Sequence, residues 1–107
     1  MTTHGRLSHS ALKVLRVFLD AFAGNVRAEL AGADIMKTAG IASGTLYPIL
    51  LRLERAGVLT GQWEKARPED LGRPRRRLYR MTSAGVQLAN DALSELTAPS
   101  ALSPNEA

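Results

Sequence analysis

The stretch SGTLYPILLRLERAG (43–57) decides the fold, because it combines an apolar helical stripe with a polar opposite face. Its aliphatic residues follow the spacing i, i+3, i+4, i+7: Leu46, Ile49, Leu50 and Leu53. This spacing predicts an amphipathic helix that buries one face against a core. The remaining positions, several of them polar, are left to face outward.

The ends of this helix are predicted from single residues. Ser43 or Thr45 is the expected N-cap, since a hydroxyl there can accept a hydrogen bond from an early backbone N–H. With Thr45 as the cap, Pro48 falls at the third helical position, where its missing N–H has no helical partner to lose. Gly57 is a suitable left-handed C-terminal residue after Ala56.

Upstream, a shorter helix is expected from about Ala33 to Thr38, and Ala39-Gly40 would end it. Residues 26–30 favour a short extended piece without settling its structure. Two short helices joined by a tight turn containing glycine are the outline of a helix-turn-helix.

Downstream, the segments VLTGQWE (58–64) and RRLYRMT (76–82) alternate like strands. Between them, KARPEDLGRPR (65–75) reads as an open hairpin loop rich in Pro, Gly and charge. We expect Trp63 and Tyr79 to pack in the core or at its edge. The prediction is a mainly α winged helix-turn-helix with a small two-stranded β wing and a C-terminal helix.

Two flanking helices are predicted, SALKVLRVFLDAF (10–22) and SAGVQLANDALSEL (83–96), the second capped by Thr82. Their apolar faces are wider than one neighbour would cover, which indicates a second partner. The residues expected to face that partner are Leu12, Leu15, Leu19, Leu88, Ala92, Leu93 and Leu96. The domain is therefore predicted over 10–96, between a flexible N-terminus (1–9) and a disordered tail (97–107).

Composition narrows the class of protein. The 107 residues suit one domain with a modest core, and 45% apolar with 5% aromatic residues favours packed helices. No cysteine is present, which excludes disulfides and thiolate metal sites. Apolar runs are too short to span a membrane, and the first ten residues lack the apolar core of a secretion signal. The expected location is the cytoplasm.

Charge is concentrated rather than spread. The chain carries 14 Lys+Arg against 10 Asp+Glu, and nine of the basic residues lie between Arg52 and Arg80. Only four acids share that segment, which suggests an anionic partner. A solvated arginine-rich loop explains the charge equally well when charge is considered alone.

The predicted helix-turn-helix favours DNA as the anionic partner. The second helix of this motif enters the major groove and contacts DNA with its N-terminal residues. Cations on a hairpin can follow phosphates or enter the minor groove. The expected DNA-binding residues are Ser43, Thr45, Tyr47, Pro48, Arg52, Lys65, Arg67, Arg73, Arg75, Arg76 and Arg77. Two alternatives stay open: Ser43 and Thr45 serve only as caps, and Glu64, Glu69 or Asp70 pair with some wing arginines.

No catalytic function is expected. His4 and His9 both fall in the predicted flexible N-terminus, and there is no Ser/His/Asp set, phosphate loop, metal site or cofactor motif. The rival classes are a winged helix that binds protein, and a DNA-binding architectural protein without sequence preference. The first would carry apolar or acidic residues on its recognition face.

The segments GTLYPILLRLERAGVLTGQWE (44–64) and GRPRRRLYRMTSAG (72–85) resemble the PadR family of bacterial winged-helix transcriptional regulators. The resemblance runs from Ala31 to about Leu88. It implies a homodimer that binds palindromic promoter DNA, usually as a repressor, with Thr45, Tyr47 and the wing arginines as positions to test. Family members can sense small molecules, but the short C-terminal region leaves little surface for an effector pocket. The family's usual His-Gly-Tyr is replaced here by 31–33, Ala-Gly-Ala.

Overall fold

The computed structural model describes residues 7–97, so the expectations for residues 1–6 and 98–107 lie outside the described residues. In chain order the elements are α1 (His9–Gly24), β1 (Leu30–Ala31), α2 (Gly32–Ala39), α3 (Ser43–Arg55), β2 (Leu59–Trp63), α4 (Pro68–Leu71), β3 (Arg77–Met81) and α5 (Ser83–Thr97). His9 is the first helical residue, because the Ser8 hydroxyl accepts a hydrogen bond from the Ala11 N–H at 3.0 Å. Helix α1 therefore begins one residue earlier than the predicted start at Ser10.

Helices α2 and α3 form the predicted helix-turn-helix. Gly40 ends α2 in the left-handed conformation with φ +69°, and its N–H donates to the Met36 carbonyl at 2.8 Å. Gly57 follows the end of α3 and is also left-handed, with φ +80°, as expected from the sequence. Both turns need a residue that tolerates positive φ, which favours glycine.

The predicted start of α3 is wrong. The Ala42 carbonyl accepts hydrogen bonds from the N–H groups of Thr45 and Leu46 at 3.1 and 2.9 Å, so the chain is already helical at Ser43. Ala42 is the N-cap, and Pro48 is the sixth helical residue instead of the third. The helix continues through the proline and omits one hydrogen bond, to the carbonyl of the exposed Gly44.

The sheet has three antiparallel strands in the order β1-β3-β2, which corrects the prediction of a two-stranded wing. In β1, Leu30 pairs with Tyr79 and Ala31 with Leu78. Sequence reasoning left this segment ambiguous because two residues are too few to show an alternating pattern. Strands β2 and β3 pair as predicted, with Gly61 opposite Tyr79.

The segment between β2 and β3 is not an open loop. It contains the short helix α4, which starts at Pro68 and is closed by Gly72 with φ +70°. A proline at the first helical position and a glycine after the last are favourable ends for so short a turn. The wing is therefore a folded hairpin extension.

The core lies between α1, α2, α3 and the sheet. Its largest fully buried side chains are Phe18, Leu15, Ile35, Leu46, Leu50 and Val14. Helix α5 packs against α1. Its start is joined to the turn between α3 and β2 by Thr82, whose hydroxyl donates to the Gly57 carbonyl at 2.6 Å and accepts from the Gly85 N–H at 2.9 Å. Of the helices within 7–97, none has the length and apolar character to cross a membrane.

Candidate nucleic-acid interface

The outer face of α3 is exposed and carries several polar side chains that have no internal partner in the described chain. Within residues 7–97, neither the Ser43 nor the Thr45 hydroxyl makes a hydrogen bond, so the structure does not support a role for either as an N-cap. Arg52 and Arg55 are exposed and likewise form no ion pair in the described chain. Pro48 lies on the same exposed side. Donors here can turn to an external acceptor without first giving up an internal bond.

Two exposed large side chains stand among these polar groups. Tyr47 is 46% exposed and Leu51 is 48% exposed. The two are four residues apart, so they lie on one helical face. Leu51 was missed by sequence reasoning because it adjoins the buried stripe, although its spacing from Tyr47 indicates the outer face. An apolar side chain at this place suits the methyl group of thymine.

Tyr47 is oriented by α2. Its hydroxyl end lies against Gly32, where an added Cβ would overlap the Tyr47 oxygen and lie 2.8 Å from Cζ. Gly32 is buried and begins α2, whose Asp34 carboxylate accepts the Ala31 N–H at 3.0 Å. The phenol therefore rests on a fixed helix start while much of its ring stays open.

In the wing, Glu64 holds the base of the hairpin extension. Its carboxylate accepts two hydrogen bonds from the Arg73 guanidinium, at 2.7 and 3.1 Å, and one from the Arg76 backbone N–H at 2.8 Å. These hydrogen bonds, led by Arg73, lower the pKa of Glu64 to about 2. The same bond raises the pKa of Arg73. Arg73 is thus bound within the wing, as the acid-pairing alternative predicted.

The other wing cations differ in how firmly they are held. Arg67 pairs with Asp70 at 3.3 Å with both side chains well exposed, a geometry that contributes little and is easily exchanged. Arg75 donates from Nε to the Ala66 carbonyl at 2.9 Å. Among the wing cations that the structure describes, the side chains of Lys65 and Arg76 form no hydrogen bond or ion pair.

Arg77 connects the wing to the recognition helix. Its guanidinium donates to Glu54 of α3 at 2.7 Å and lies 5.6 Å from the Trp63 ring centre and 5.9 Å from the Tyr79 ring centre. The bond to Glu54 raises the pKa of Arg77. Gly61 makes room for this pair, since a Cβ there would lie 3.1 Å from both partners. Arg77 therefore positions the wing rather than projecting from it.

The two aromatic side chains of the sheet differ from each other. Tyr79 is buried, as expected, and burial raises its pKa. Trp63 is 59% exposed, so the expectation that it packs in the core or at its edge is wrong. It lies opposite Arg77 at the last position of β2.

A cleft of about 410 Å³ separates the wing from the helix-turn-helix. Tyr47 forms the α3 side and Trp63 the wing side, while the start of α2 contributes small residues. The lining is Ala31, Gly32, Ala33, Met36, Tyr47, Trp63, Arg75, Arg76, Arg77 and Tyr79. It contains three arginines and no acid, so the cleft suits an anionic group flanked by apolar surface.

The predicted dimer residues fall into two groups. Leu15 is fully buried in the core of its own chain and has no surface to offer a second chain. Leu12, Leu19 and Leu88 are partly buried against the core, and Ala92 and Leu93 are half-buried. The side chain of Leu96 lies outside the described residues. A groove of about 480 Å³ between α1 and α5 is lined in part by Leu19, Phe22 and Leu93.

The chain belongs to the PadR-like family of transcriptional regulators. The family model "Transcriptional regulator PadR-like family" matches residues 27–91, more than half of the chain. This range holds α2, α3 and the wing. The family assignment confirms the resemblance drawn from the sequence motifs.

Solved structures show the same fold. The chain is similar to smu.1704 from Streptococcus mutans UA159, with 30% identity, TM-score 0.61, and coverage of 81% of this chain and 78% of that one. A PadR family transcriptional regulator from Eggerthella lenta DSM 2243 matches with 24% identity, TM-score 0.59, and coverage of 78% and 70%. BpsR of Bordetella bronchiseptica, whose DNA binding is regulated by 6-hydroxynicotinic acid, matches with 17% identity, TM-score 0.60, and coverage of 87% and 61%. No curated protein matches the sequence.

Proposed function

We propose that the protein binds double-stranded DNA sequence-specifically as a homodimer, in the cytoplasm, and represses transcription from a palindromic operator. The observation that carries this proposal is the outer face of α3, where Ser43, Thr45 and Arg52 are exposed and have no internal partner. The early residues of a recognition helix are those that meet base edges and phosphates. The uncommitted wing cations Lys65 and Arg76 add sequence-independent attraction.

The rival protein-binding reading is weaker on this face. A protein-docking helix needs a continuous apolar patch or a set of acids. The outer face of α3 offers the small apolar pair Tyr47 and Leu51, with Ser43 four residues before it and Arg55 four residues after it. Glu54 is the acid of α3, and Arg77 already holds its carboxylate. The charge of the face therefore favours an anionic partner.

The deciding experiment is selection of the purified protein against a random duplex pool at physiological salt. Enrichment of an inverted repeat is expected, because two copies of α3 related by a two-fold axis read two half-sites. Retention of DNA without an enriched sequence would favour the architectural alternative. Failure to retain any DNA would favour the protein-binding module.

Repression is tested separately, with the selected operator placed across a promoter. Transcription from that template should fall as protein is added, and a template with a scrambled operator should be unaffected. A rise in transcription would assign activation to the same DNA-binding protein.

For the dimer, the surface is the outer side of α1 and α5, which includes the groove lined in part by Leu19 and Leu93 and continues to the neighbouring Ala92. Ala92 lies on α5 and is half-buried without belonging to the core, so Ala92→Arg should block association while leaving the fold intact. Ala84→Arg is the matched control, because Ala84 is an exposed alanine of the same helix. Analytical ultracentrifugation should show dimer for the native chain and the control, and monomer for Ala92→Arg.

A further inference from the structure

Resting on the proposed function, we infer that the cleft between the wing and the helix-turn-helix binds one sugar–phosphate strand of duplex DNA, with Trp63 packed against deoxyribose. The bound chemistry is a phosphodiester with its apolar sugar face. Trp63 belongs to no set of DNA contacts predicted from the sequence.

The first argument is the orientation of Trp63. The side chain is 59% exposed, and the Arg77 guanidinium lies over its ring, 5.6 Å from the ring centre. Arg77 is itself held by Glu54 at 2.7 Å, so the ring is tied to the recognition helix through one intermediate residue. A large exposed apolar ring with a guanidinium over one side still has surface for a contact, and the existing contact reduces the side-chain entropy that binding would remove.

The second argument is the charge of the cleft. Its lining includes Arg75, Arg76 and Arg77 and no Asp or Glu. Arg77 is paired with Glu54, whereas the Arg76 side chain has no partner in the described chain and Arg75 is held only through Nε. A phosphate entering from the wing side therefore meets two guanidinium groups with free donors, and it meets no acid in the lining.

The third argument is position. Tyr47 forms the opposite wall, so a strand that is contacted by the start of α3 passes directly into the cleft before it reaches the wing. Sugar contacts together with phosphate contacts fix the register of a protein on duplex DNA. No residue of α1 or α5 lines the cleft, so it is separate from the groove assigned to dimerisation.

Trp63 is the single tryptophan of the chain, so its fluorescence reports on this cleft alone. The experiment titrates the full chain with a fluorescein-labelled operator duplex, reading DNA anisotropy for binding and acrylamide quenching of Trp63 for contact. We expect quenching of Trp63 to fall when the duplex is bound. Trp63→Ala should weaken binding about tenfold for operator and unrelated duplex alike.

The salt dependence distinguishes apolar packing from a charge effect. Trp63→Ala should leave the slope of log affinity against log salt unchanged, because the ring neutralises no phosphate. Trp63→Phe should recover most of the affinity. Val26→Ala is the matched control: Val26 is also 59% exposed, lies outside the cleft, and its truncation should have no effect.

Three results would overturn the inference. If the duplex binds while Trp63 remains fully quenchable and Trp63→Ala binds normally, the strand does not enter the cleft and the proposed function still stands. If Trp63→Ala weakens binding but Trp63 is never shielded, the residue acts only by positioning Arg77. If the native chain binds no duplex, or prefers single strands, the proposed function fails and this inference fails with it.

Discussion

The recognition helix and the wing carry similar side chains but differ in how many of them are uncommitted. On α3, Ser43, Thr45, Arg52 and Arg55 form no internal hydrogen bond or ion pair in the described chain. In the wing, four of six cations have an internal partner: Arg67, Arg73, Arg75 and Arg77. Arg73 and Arg77 are held by carboxylates at 2.7 Å, whereas Arg67 is in an exposed pair and Arg75 is bonded through Nε alone. A count of basic residues therefore overstates the charge that the wing offers to DNA.

The difference has a physical reason. A helix satisfies the hydrogen bonds of its own backbone, so its outward side chains are not needed to stabilise it. The wing has only two long strands and a four-residue helix, and its backbone and connections need side-chain support. Glu64 provides that support by accepting from Arg73 and from the Arg76 N–H at once.

The largest expected effect concerns Tyr47. Tyr47→Ala should weaken operator binding about tenfold or more, because an exposed and oriented aromatic contact on the recognition helix is lost. The thermal midpoint should change little, since Tyr47 is outside the core cluster. Tyr47→Phe separates the hydroxyl from the ring. Unchanged operator affinity in Tyr47→Ala would place this residue outside the DNA contact.

Gly32→Ala should act on the same contact indirectly. The new Cβ overlaps the Tyr47 phenol, and forcing that side chain off its rotamer costs about 0.5–1.5 kcal/mol. Operator affinity should fall by a smaller factor than in Tyr47→Ala, and the effect should vanish in the Tyr47→Ala background. Gly24→Ala is the control, because a Cβ there meets nothing within 4 Å. An equal loss in both backgrounds would show that Gly32 acts without Tyr47.

Arg76 and Arg73 test the comparison within the wing. Arg76→Gln should lower affinity for every sequence and reduce the salt slope by about 0.9, the value for one phosphate contact. Arg73→Gln should leave the slope unchanged and lower the thermal midpoint, because it removes the pair with Glu64. If the two variants alter the slope equally, Arg73 is released on DNA and the division between bound and free cations fails.

The smallest effect is the pH dependence of the Glu64 contact. Its folded-state pKa of about 2 lies below the ordinary 4.5, so ionised Glu64 stabilises the wing fully above pH 4.5. That stabilisation is lost as the pH falls from 4.5 toward 2. Glu64→Gln should therefore lower the thermal midpoint at pH 7, and the difference from the native chain should shrink across this window. Glu69→Gln, which breaks no ion pair, should show no such difference at either pH.

Much of the fold follows from the sequence because its helices are periodic and its turns are marked. The stripe from Leu46 to Leu53 predicts the buried face of α3, and Gly40 and Gly57 mark the helix ends. The N-cap of α3 could not be predicted, because Ala42 has no polar side chain of the kind that marks an N-cap. Strand β1 does not follow either, since its two residues depend on pairing with β3.

The candidate site is predicted less completely than the fold. The sequence predicted that site residues lie on α3 and in the wing. It did not identify Trp63, Gly32, Leu51 or Glu54 as part of the site. Glu54 lies seven residues after Tyr47 and so shares its side of the helix, which is a usable signal. The distance between Glu54 and Arg77 along the chain hides their pairing, whereas the pairing of Glu64 with a wing arginine was among the alternatives that the sequence offered.

The sequence by itself determined the helix-turn-helix, the two long strands and the concentration of positive charge, because these depend on local periodicity, turn residues and composition. Only the tertiary structure decided which charges are free, how Tyr47 rests on Gly32, and why Trp63 is exposed. Those features depend on contacts between residues far apart in the chain. An arginine that pairs with a distant acid has fewer donors left for DNA, and a local sequence pattern does not show that pairing.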